Sequence, residues 1–194
     1  MASKIWSGRF GGGVLVLALV ILGAAYAFKA GGQSDMAGSA PVAPLALTSG
    51  SFKDGDTMPQ KLTCDGLNIS PDLQWLSAPS DTKSFAIVMD DPDAPLGFTH
   101  WIAYNIPPDT RDVAEGASTH NKRFDHAAEG VNSFGDIGYG GPCPPSGPPH
   151  HYVFHVYALD VNPALPPGQA RDQLAASVRG HVLAEGRITG LYGR

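Results

Sequence analysis

Three short polar segments in the second half of the chain contain the residues that could do chemistry. Asp91 and Asp93 flank a proline, His100 follows them closely, and His150 and Tyr152 come after a loop of glycine and proline. Carboxylates, imidazoles and phenols can move protons, and imidazole and phenol groups also donate hydrogen bonds to anions. No serine stands in a nucleophile-elbow sequence beside them. These residue types therefore indicate a small polar pocket for an anionic group more than a catalytic triad.

The loop that precedes His150 is expected to form one wall of this pocket. Glycine lets the backbone approach a ligand closely, and prolines hold a loop rigid. The N–H group of Gly141 could donate a hydrogen bond to an anion, whereas a proline has no backbone N–H group. His150 and Tyr152 stand two residues apart, so in a strand they face the same side and His151 faces the other. The other wall residues of the loop are Pro142, Cys143 and Pro144.

Each polar segment also has an ordinary structural interpretation. An Asp-Pro pair commonly begins a turn, and a histidine at the start of a strand is often a core or rim residue. A hairpin would, however, bring His100 back beside Asp91 and Asp93. A neighbouring carboxylate favours the charged imidazole, which donates both of its N–H groups. The remaining histidines have no evident partner in the sequence and are interpreted as structural or surface residues: His120, His126, His155 and His181.

Three apolar runs rich in strand-forming residues are predicted to position these groups. They cover residues 84–90, 99–106 and 152–159, and a last short strand is predicted over 187–192. In the first run, apolar side chains occupy both alternating faces, which indicates a central strand buried on both sides. Residues 110–149 carry little regular pattern, and loops of that length are usually functional.

One helix is predicted near the C-terminus. Asp172 fits an N-cap, and Leu174, Val178, His181 and Val182 follow at helical spacing. Strands that precede a helix indicate an antiparallel sheet with the helix on one side. The 24 glycines and 17 prolines among 194 residues favour a loop-rich, mainly β fold over a helical bundle.

Composition limits the classes of partner. Hydrophobic residues make up 43% of the chain and the formal net charge is −5, which is compatible with one domain and a substantial core. No basic stripe is present, so the folded body is not expected to bind nucleic acid. A local pocket can still bind an anion against a negative overall charge.

Residues 1–28 have the pattern of a targeting or membrane segment. Lys4 and Arg9 precede an uncharged, strongly apolar run over residues 10–28. The run fits a signal peptide cleaved after Ala27, and it also fits an uncleaved single-pass anchor, a hydrophobic helix of roughly 20 residues. Either alternative places the body outside the cytoplasmic membrane, in the periplasm or another extracytoplasmic space.

A flexible linker is predicted between this segment and a single domain. Residues 29–44 are rich in glycine, alanine, serine and proline and lack periodicity, which is typical of a linker. The domain is predicted to cover residues 45–194.

The two cysteines, Cys64 and Cys143, allow one disulfide. An oxidising compartment would favour that bond. The alternative is two separate buried thiols, because the sequence does not show whether their Cα atoms come within reach.

The order of the motifs resembles the phosphatidylethanolamine-binding protein family, also called Raf kinase inhibitor-like proteins, and in particular its bacterial YbhB/YbcL-like branch. The matching motifs are Asp-Pro-Asp-Ala-Pro from residue 91, His-Trp from 100, Gly-Pro-Cys-Pro-Pro from 141 and His-x-Tyr from 150. The resemblance covers roughly residues 45–194.

This resemblance implies a central antiparallel sheet, a second smaller sheet and C-terminal helical elements. It also implies a pocket for phosphate, acetate or a phosphorylated head group. Two departures affect the mouth of the pocket: His151 stands where the family usually has arginine, and the loop 146–149 is slightly longer than the common bacterial form. Carried over residue by residue, the pocket wall consists of Asp91, Asp93, His100, Cys143 or Pro144, His150 and Tyr152.

The preferred functional hypothesis is a non-catalytic binding module for a small anion or a phosphorylated head group, associated with the membrane through its N-terminal segment. No catalytic residue, metal or cofactor is assigned, and an envelope protein is not expected to inhibit a cytoplasmic kinase. A hydrolase that pairs Cys143 with His150 is one alternative. A metal site built from His100, His150 and Asp93 is a second, although no metal-binding spacing supports it. A protein-interaction or inhibitor module is a third.

Overall fold

The computed structural model describes residues 36–37, 42–119, 122–125 and 127–194. The hydrophobic helix predicted within residues 1–28 lies outside these ranges, as do His120 and His126. Among the residues that are described, no helix is long and apolar enough to cross a membrane.

Strands supply most of the regular structure in these ranges, together with one helix and one 3₁₀ turn. In chain order the elements are β1 (Ala43–Pro44), β2 (Ala46–Thr48), the 3₁₀ turn (Gln60–Leu62), β3 (Leu73–Leu76), β4 (Ser84–Asp91), β5 (Phe98–Ile106), β6 (Asp112–Val113), β7 (Ala128–Glu129), β8 (His150–Leu159), α1 (Arg171–Val178) and β9 (Val182–Tyr192).

The described strands form two sheets. The larger has the order β1-β9-β8-β4-β5-β7 and the smaller has the order β2-β3-β6. All of these pairings are antiparallel except that of β1 with β9, where Ala43 lies beside Ala184 in parallel register. The larger sheet is therefore mixed, so the prediction of a wholly antiparallel sheet was wrong at this edge, while the smaller second sheet is confirmed. β1 is too short to show periodicity, and no hairpin imposes its direction because its partner is distant in sequence.

The three predicted central strands are present, and the last strand is longer than predicted. β9 begins at Val182 rather than Arg187 and pairs with β8 along its whole length. Gly186 interrupts the apolar pattern of β9, which is why its first half escaped prediction. A Cβ atom at Gly186 would lie 2.8 Å from the backbone oxygen of Leu45. The glycine therefore lets the preceding segment pass close to β9.

Each face of the larger sheet covers a separate part of the core. Alternate side chains of β4, such as Ile87, pack toward the smaller sheet and Trp75. The intervening side chains, such as Val88, pack in a second cluster that includes Leu174 of α1. Every residue of β4 except Asp90 is buried, which confirms the predicted burial on both faces.

The helix occupies a different span from the predicted one. Ala170 rather than Asp172 is the N-cap, and Asp172 lies in the first turn, where a carboxylate interacts favourably with the helix dipole. The helix ends before Gly180, whose φ of 82° lies in the left-handed region that terminates helices. His181 and Val182 lie beyond this turn, so their prediction as helical residues was wrong.

Parts of the predicted flexible linker are ordered. Met36 is fully buried in the cluster formed with α1, and Ala43–Pro44 forms β1. These contacts join residues that are distant in sequence, so composition alone could not reveal them. The structure differs from the linker prediction at these positions, and most other residues of 29–44 lie outside the described ranges.

Candidate functional site

The pairing of the central strands brings the predicted polar residues to one edge of the larger sheet. Asp91 lies opposite Phe98 in the pairing of β4 with β5, and Asp90 lies opposite Val153 in the pairing of β4 with β8. The end of β4 therefore adjoins the start of β5 and the start of β8. A cavity of about 300 Å³ opens there. Its lining residues are Asp91, Asp93, Ala94, Pro95, Phe98, His100, Phe134, Cys143, Pro144, Pro145, His150 and Tyr152.

Two of the predicted site residues, Gly141 and Pro142, do not line this cavity. The N–H group of Gly141 donates to Oδ1 of Asn68 at 2.7 Å, so it is not directed at a ligand as predicted. A Cβ atom at Gly141 would lie 2.3 Å from the backbone oxygen of Leu62. The carbonyl of Pro142 accepts the N–H of Cys64 at 3.1 Å. Both residues hold the loop against the segment around Leu62, which accounts for the glycine at this position.

A disulfide reinforces the same connection. Cys64 and Cys143 are bonded, with their Cα atoms 5.4 Å apart. The bond ties a cavity-lining residue to the neighbouring loop. A disulfide sulfur is not a thiolate, so Cys143 in this state cannot serve as the nucleophile of the alternative hydrolase.

Asp91 forms the floor of the cavity and is bonded on both oxygens. Its Oδ1 atom accepts the backbone N–H groups of Asp93 and Ala94 at 2.9 and 3.1 Å. Its Oδ2 atom lies 2.7 Å from Nδ1 of His150. Because Asp91 is only 3% exposed and has these partners, it positions the turn and the imidazole instead of facing a ligand directly.

His100 is buried among aromatic rings. Its Nδ1 atom lies 2.7 Å from the carbonyl oxygen of Gly140, and its ring centroid lies 4.8 Å from that of Phe98 and 5.1 Å from that of Tyr152. Burial lowers the pKa of His100, and the nearby charge of Asp91 only partly opposes this effect. The carboxylate therefore does favour the charged form of His100, as expected, but desolvation outweighs it.

Tyr152 is a neutral donor at this site. Burial raises the pKa of Tyr152, and the negative charge of Asp91 and a hydrogen bond to it raise it further. The phenol therefore keeps its proton at ordinary pH and does not act as a base.

Asp93 lies at the rim and not on the floor. Its Oδ2 atom accepts the backbone N–H of His151 and lies 2.7 Å from Nδ1 of that residue. Burial acts to raise the pKa of Asp93, but the hydrogen bonds from His151 lower it overall. β4 ends at Asp91, so Asp93 belongs to the following turn and not to the strand.

The apolar side walls were not predicted. Phe98 and Phe134 meet edge to face with ring centroids 4.7 Å apart, and Pro95 lies beside them in the lining. Phe98 could have been found by alternation, because it precedes His100 by two residues on the same strand face. Phe134 lies in the long loop, where no periodic pattern points to it.

Two histidines outside the cavity have partners that the sequence did not reveal. His155 Nδ1 lies 2.7 Å from Oε1 of Glu185, and His181 Nδ1 lies 2.8 Å from Oδ1 of Asp160. Neither lines the cavity, which agrees with their interpretation as structural or surface residues.

The geometry does not favour the alternative metal site. In the part of the chain that the structure describes, no group of three or more histidine, cysteine, aspartate or glutamate side chains is arranged to hold a metal ion. The Nδ1 atoms of His100 and His150 are engaged with Gly140 and Asp91, and Asp93 is engaged with His151.

Comparison with known proteins gives consistent matches over the folded body. A family model described as phosphatidylethanolamine-binding protein matches residues 48–193. A UPF0098 protein of Aquifex aeolicus is 46% identical over 159 residues, which cover 80% of this chain and 92% of the relative. The UPF0098 protein YbhB of Escherichia coli is 36% identical over 157 residues, which cover 76% of this chain and 99% of the relative.

Solved structures agree with these matches. The crystal structure of E. coli YbcL, described as a new member of the mammalian PEBP family, has a TM-score of 0.73 at 34% identity and covers 78% of this chain and 99% of YbcL. A phosphatidylethanolamine-binding protein homologue from Chlamydia trachomatis has a TM-score of 0.71 at 36% identity, covering 78% of this chain and 98% of the homologue.

Proposed function

Because the chain belongs to the phosphatidylethanolamine-binding protein family, we propose that its folded body is a non-catalytic module that binds a small anion or a phosphorylated head group. The observation that carries this proposal is the convergence of His100, His150 and Tyr152 on one cavity of about 300 Å³. That volume is at the lower end of small-molecule sites, which suits a head group better than a large metabolite.

The bonded state of the carboxylates is compatible with an anionic ligand. Asp91 is neutralised in part by two backbone N–H groups and by His150, and Asp93 is bonded to His151 at the rim. In its imidazolium form, His150 can therefore present its second N–H group to an anion while its Nδ1 atom is held by a carboxylate.

The proposal of a binding module rather than an enzyme rests on the lack of an activated nucleophile among the cavity residues. Cys143 is bonded to Cys64, and the remaining lining residues with polar side chains are aspartates, histidines and a tyrosine. Acid–base groups without a nucleophile or a positioned water give weak support for hydrolysis.

We also propose an extracytoplasmic location with membrane association through residues 1–28. The apolar run over residues 10–28 and a disulfide that oxidising compartments favour both support this location. Fractionation of cells, with protease added to intact spheroplasts, tests it. Protection of the body from the protease would contradict the proposal.

The test of binding is a thermal-shift series on the full chain in a nonionic detergent, with phosphate, acetate, phosphoethanolamine and nucleotides. Concentration-dependent stabilisation that is lost in His150→Ala but kept in His181→Ala supports the proposal. His181 is the matched control because it is also paired with an aspartate but does not line the cavity. Absence of any shift would overturn anion binding and favour a protein-interaction role.

A further inference from the structure

The two cavity histidines are held through the same ring atom. Nδ1 of His100 lies 2.7 Å from the carbonyl oxygen of Gly140, and Nδ1 of His150 lies 2.7 Å from Oδ2 of Asp91. Both partners are acceptors, because a carbonyl oxygen and an ionised carboxylate have no proton to donate. Each ring therefore carries its proton on Nδ1 when it is neutral.

This arrangement leaves the Nε2 atom of each ring for the cavity that both residues line. Both rings make their sequence-distant hydrogen bonds through Nδ1, to Gly140 and to Asp91. In this tautomer a neutral imidazole offers a lone pair at Nε2, whereas an imidazolium offers an N–H group there. The charge of each histidine therefore decides whether it accepts a hydrogen bond from a ligand or donates one.

The two rings have different surroundings. Nδ1 of His150 lies against the buried carboxylate of Asp91, and the His150 side chain is partly exposed. His100 is 3% exposed, lies against the rings of Phe98 and Phe134, and its Nδ1 atom faces the neutral carbonyl of Gly140. Burial correspondingly lowers the pKa of His100.

The other ionisable groups around the pair do not reverse this difference. Arg171 engages Asp90 through two nitrogens, and the phenol of Tyr192 donates to Asp65. Loop residues 140–145 contribute no titratable group, since Cys143 is in the disulfide. The charged and titratable groups that β4 and its turn, β8 and the C-terminal segment place around the pair are Asp90, Asp91, Asp93, His151, Tyr152, Tyr192 and Arg194.

We propose that His150 is the donor and His100 the acceptor for a bound phosphate group, so that the pocket selects phosphomonoesters over phosphodiesters. This inference rests on the proposed anion-binding function. A phosphomonoester monoanion has oxygens that accept from Nε2–H of His150 and a P–OH group that donates to Nε2 of His100. A phosphodiester has the same charge but no hydrogen to donate, so it leaves the buried acceptor of His100 unsatisfied.

Two isomeric probes separate this effect from size and charge. Ethyl phosphate is a monoester and dimethyl phosphate a diester of the same composition. At about pH 5.5 both are mainly monoanions, because the second pKa of a phosphomonoester is about 6. Titration calorimetry of the full chain in a nonionic detergent is expected to show ethyl phosphate binding about tenfold more tightly or better, since a site built to bond a hydroxyl rejects an analogue without it.

Two variants test whether the preference for ethyl phosphate depends on the rings of His100 and His150. His100→Asn keeps an amide N–H for Gly140 and removes Nε2, so the preference for ethyl phosphate should fall to near equality. His150→Ala should weaken both probes together. Equal binding of the two isomers by the native chain, or a preference that persists in His100→Asn, overturns the inference while anion binding stands. If neither isomer nor inorganic phosphate binds, the proposed function itself fails.

Discussion

The Nδ1 atom of His150 lies 2.7 Å from Oδ2 of Asp91, and this contact joins the start of β8 to the end of β4. The other oxygen of Asp91 accepts two backbone N–H groups of the turn that follows β4. One buried carboxylate therefore fixes both the orientation of the imidazole and the shape of the turn at the cavity edge. Anion binding and local stability should consequently depend on the same side chain.

Replacement of this carboxylate tests that dependence. Asp91→Asn should weaken phosphate binding by about tenfold to a hundredfold, as loss of a residue that orients a ligand group commonly does. It should also lower the free energy of unfolding by about 1–3 kcal/mol, because buried hydrogen bonds lose their charged acceptor. Titration calorimetry and urea unfolding measure the two effects.

The control for this variant is Asp93→Asn. The Asp93 side chain is 42% exposed and bonded to the exposed His151, so its loss should change stability by less than about 1 kcal/mol. Equal destabilisation by both substitutions would show that Asp91 has no special role in the turn.

Gly141 tests the packing of the cavity loop. Gly141→Ala should destabilise the fold by about 1–3 kcal/mol, the usual cost of overpacking, because its Cβ would lie 2.3 Å from the backbone oxygen of Leu62. Gly147→Ala is the matched control in the same loop, since no atom lies within 4 Å of its added Cβ. Urea unfolding of both variants checks this, and similar stabilities would contradict the close approach.

The disulfide should stabilise both the fold and the cavity wall. The double variant Cys64→Ser, Cys143→Ser removes a cross-link between residues separated by 79 positions, which should lower the free energy of unfolding by about 4 kcal/mol. Phosphate affinity should fall as well, because Cys143 lines the cavity. The measurement compares the variant with the oxidised native chain by urea unfolding and calorimetry. Unchanged stability and affinity would mean that hydrogen bonds alone hold the loop.

The features that could be predicted from the sequence are those that a short run of neighbouring residues displays. The central strands and the burial of β4 on both faces follow from alternation over successive residues, which a single segment displays. The parallel edge strand β1 and the buried Met36 could not be predicted, because each depends on a partner far away in sequence.

The candidate site also has features that the sequence displays and features that depend on contacts between distant segments. His100, His150 and Tyr152 were predicted because their residue types and positions on strands are visible in the sequence. The predicted role of Gly141 as a donor to the ligand was wrong, because its N–H group donates to Asn68. That contact joins two irregular segments, which no periodic pattern reveals. The lowered pKa of His100 was not predicted, because it depends on burial, and the rings of Phe98 and Phe134 that bury this residue come from different segments.

The lowered pKa of His100 also predicts how stability depends on pH. Burial disfavours the imidazolium in the folded chain, so the unfolded chain binds a proton at this residue more readily. The contribution of neutral His100 to the free energy of unfolding is then fully present above the pKa of histidine in the unfolded chain, about 6.5. This contribution is lost as the pH falls toward the pKa of His100 in the folded chain, since proton binding favours unfolding. The pKa of Asp93 is lowered from a much more acidic ordinary value, so its contribution is lost only at lower pH.

Urea unfolding between about pH 5 and pH 7.5 measures this slope. The free energy of unfolding of the native chain should decrease toward acid, and His100→Asn should make the decrease shallower, because asparagine does not titrate and keeps a donor for Gly140. His181→Asn, at an exposed position on the surface, is the matched control for exchanging a histidine. An acid slope that is the same in native chain and His100→Asn would show that burial of His100 is not what makes the fold sensitive to acid.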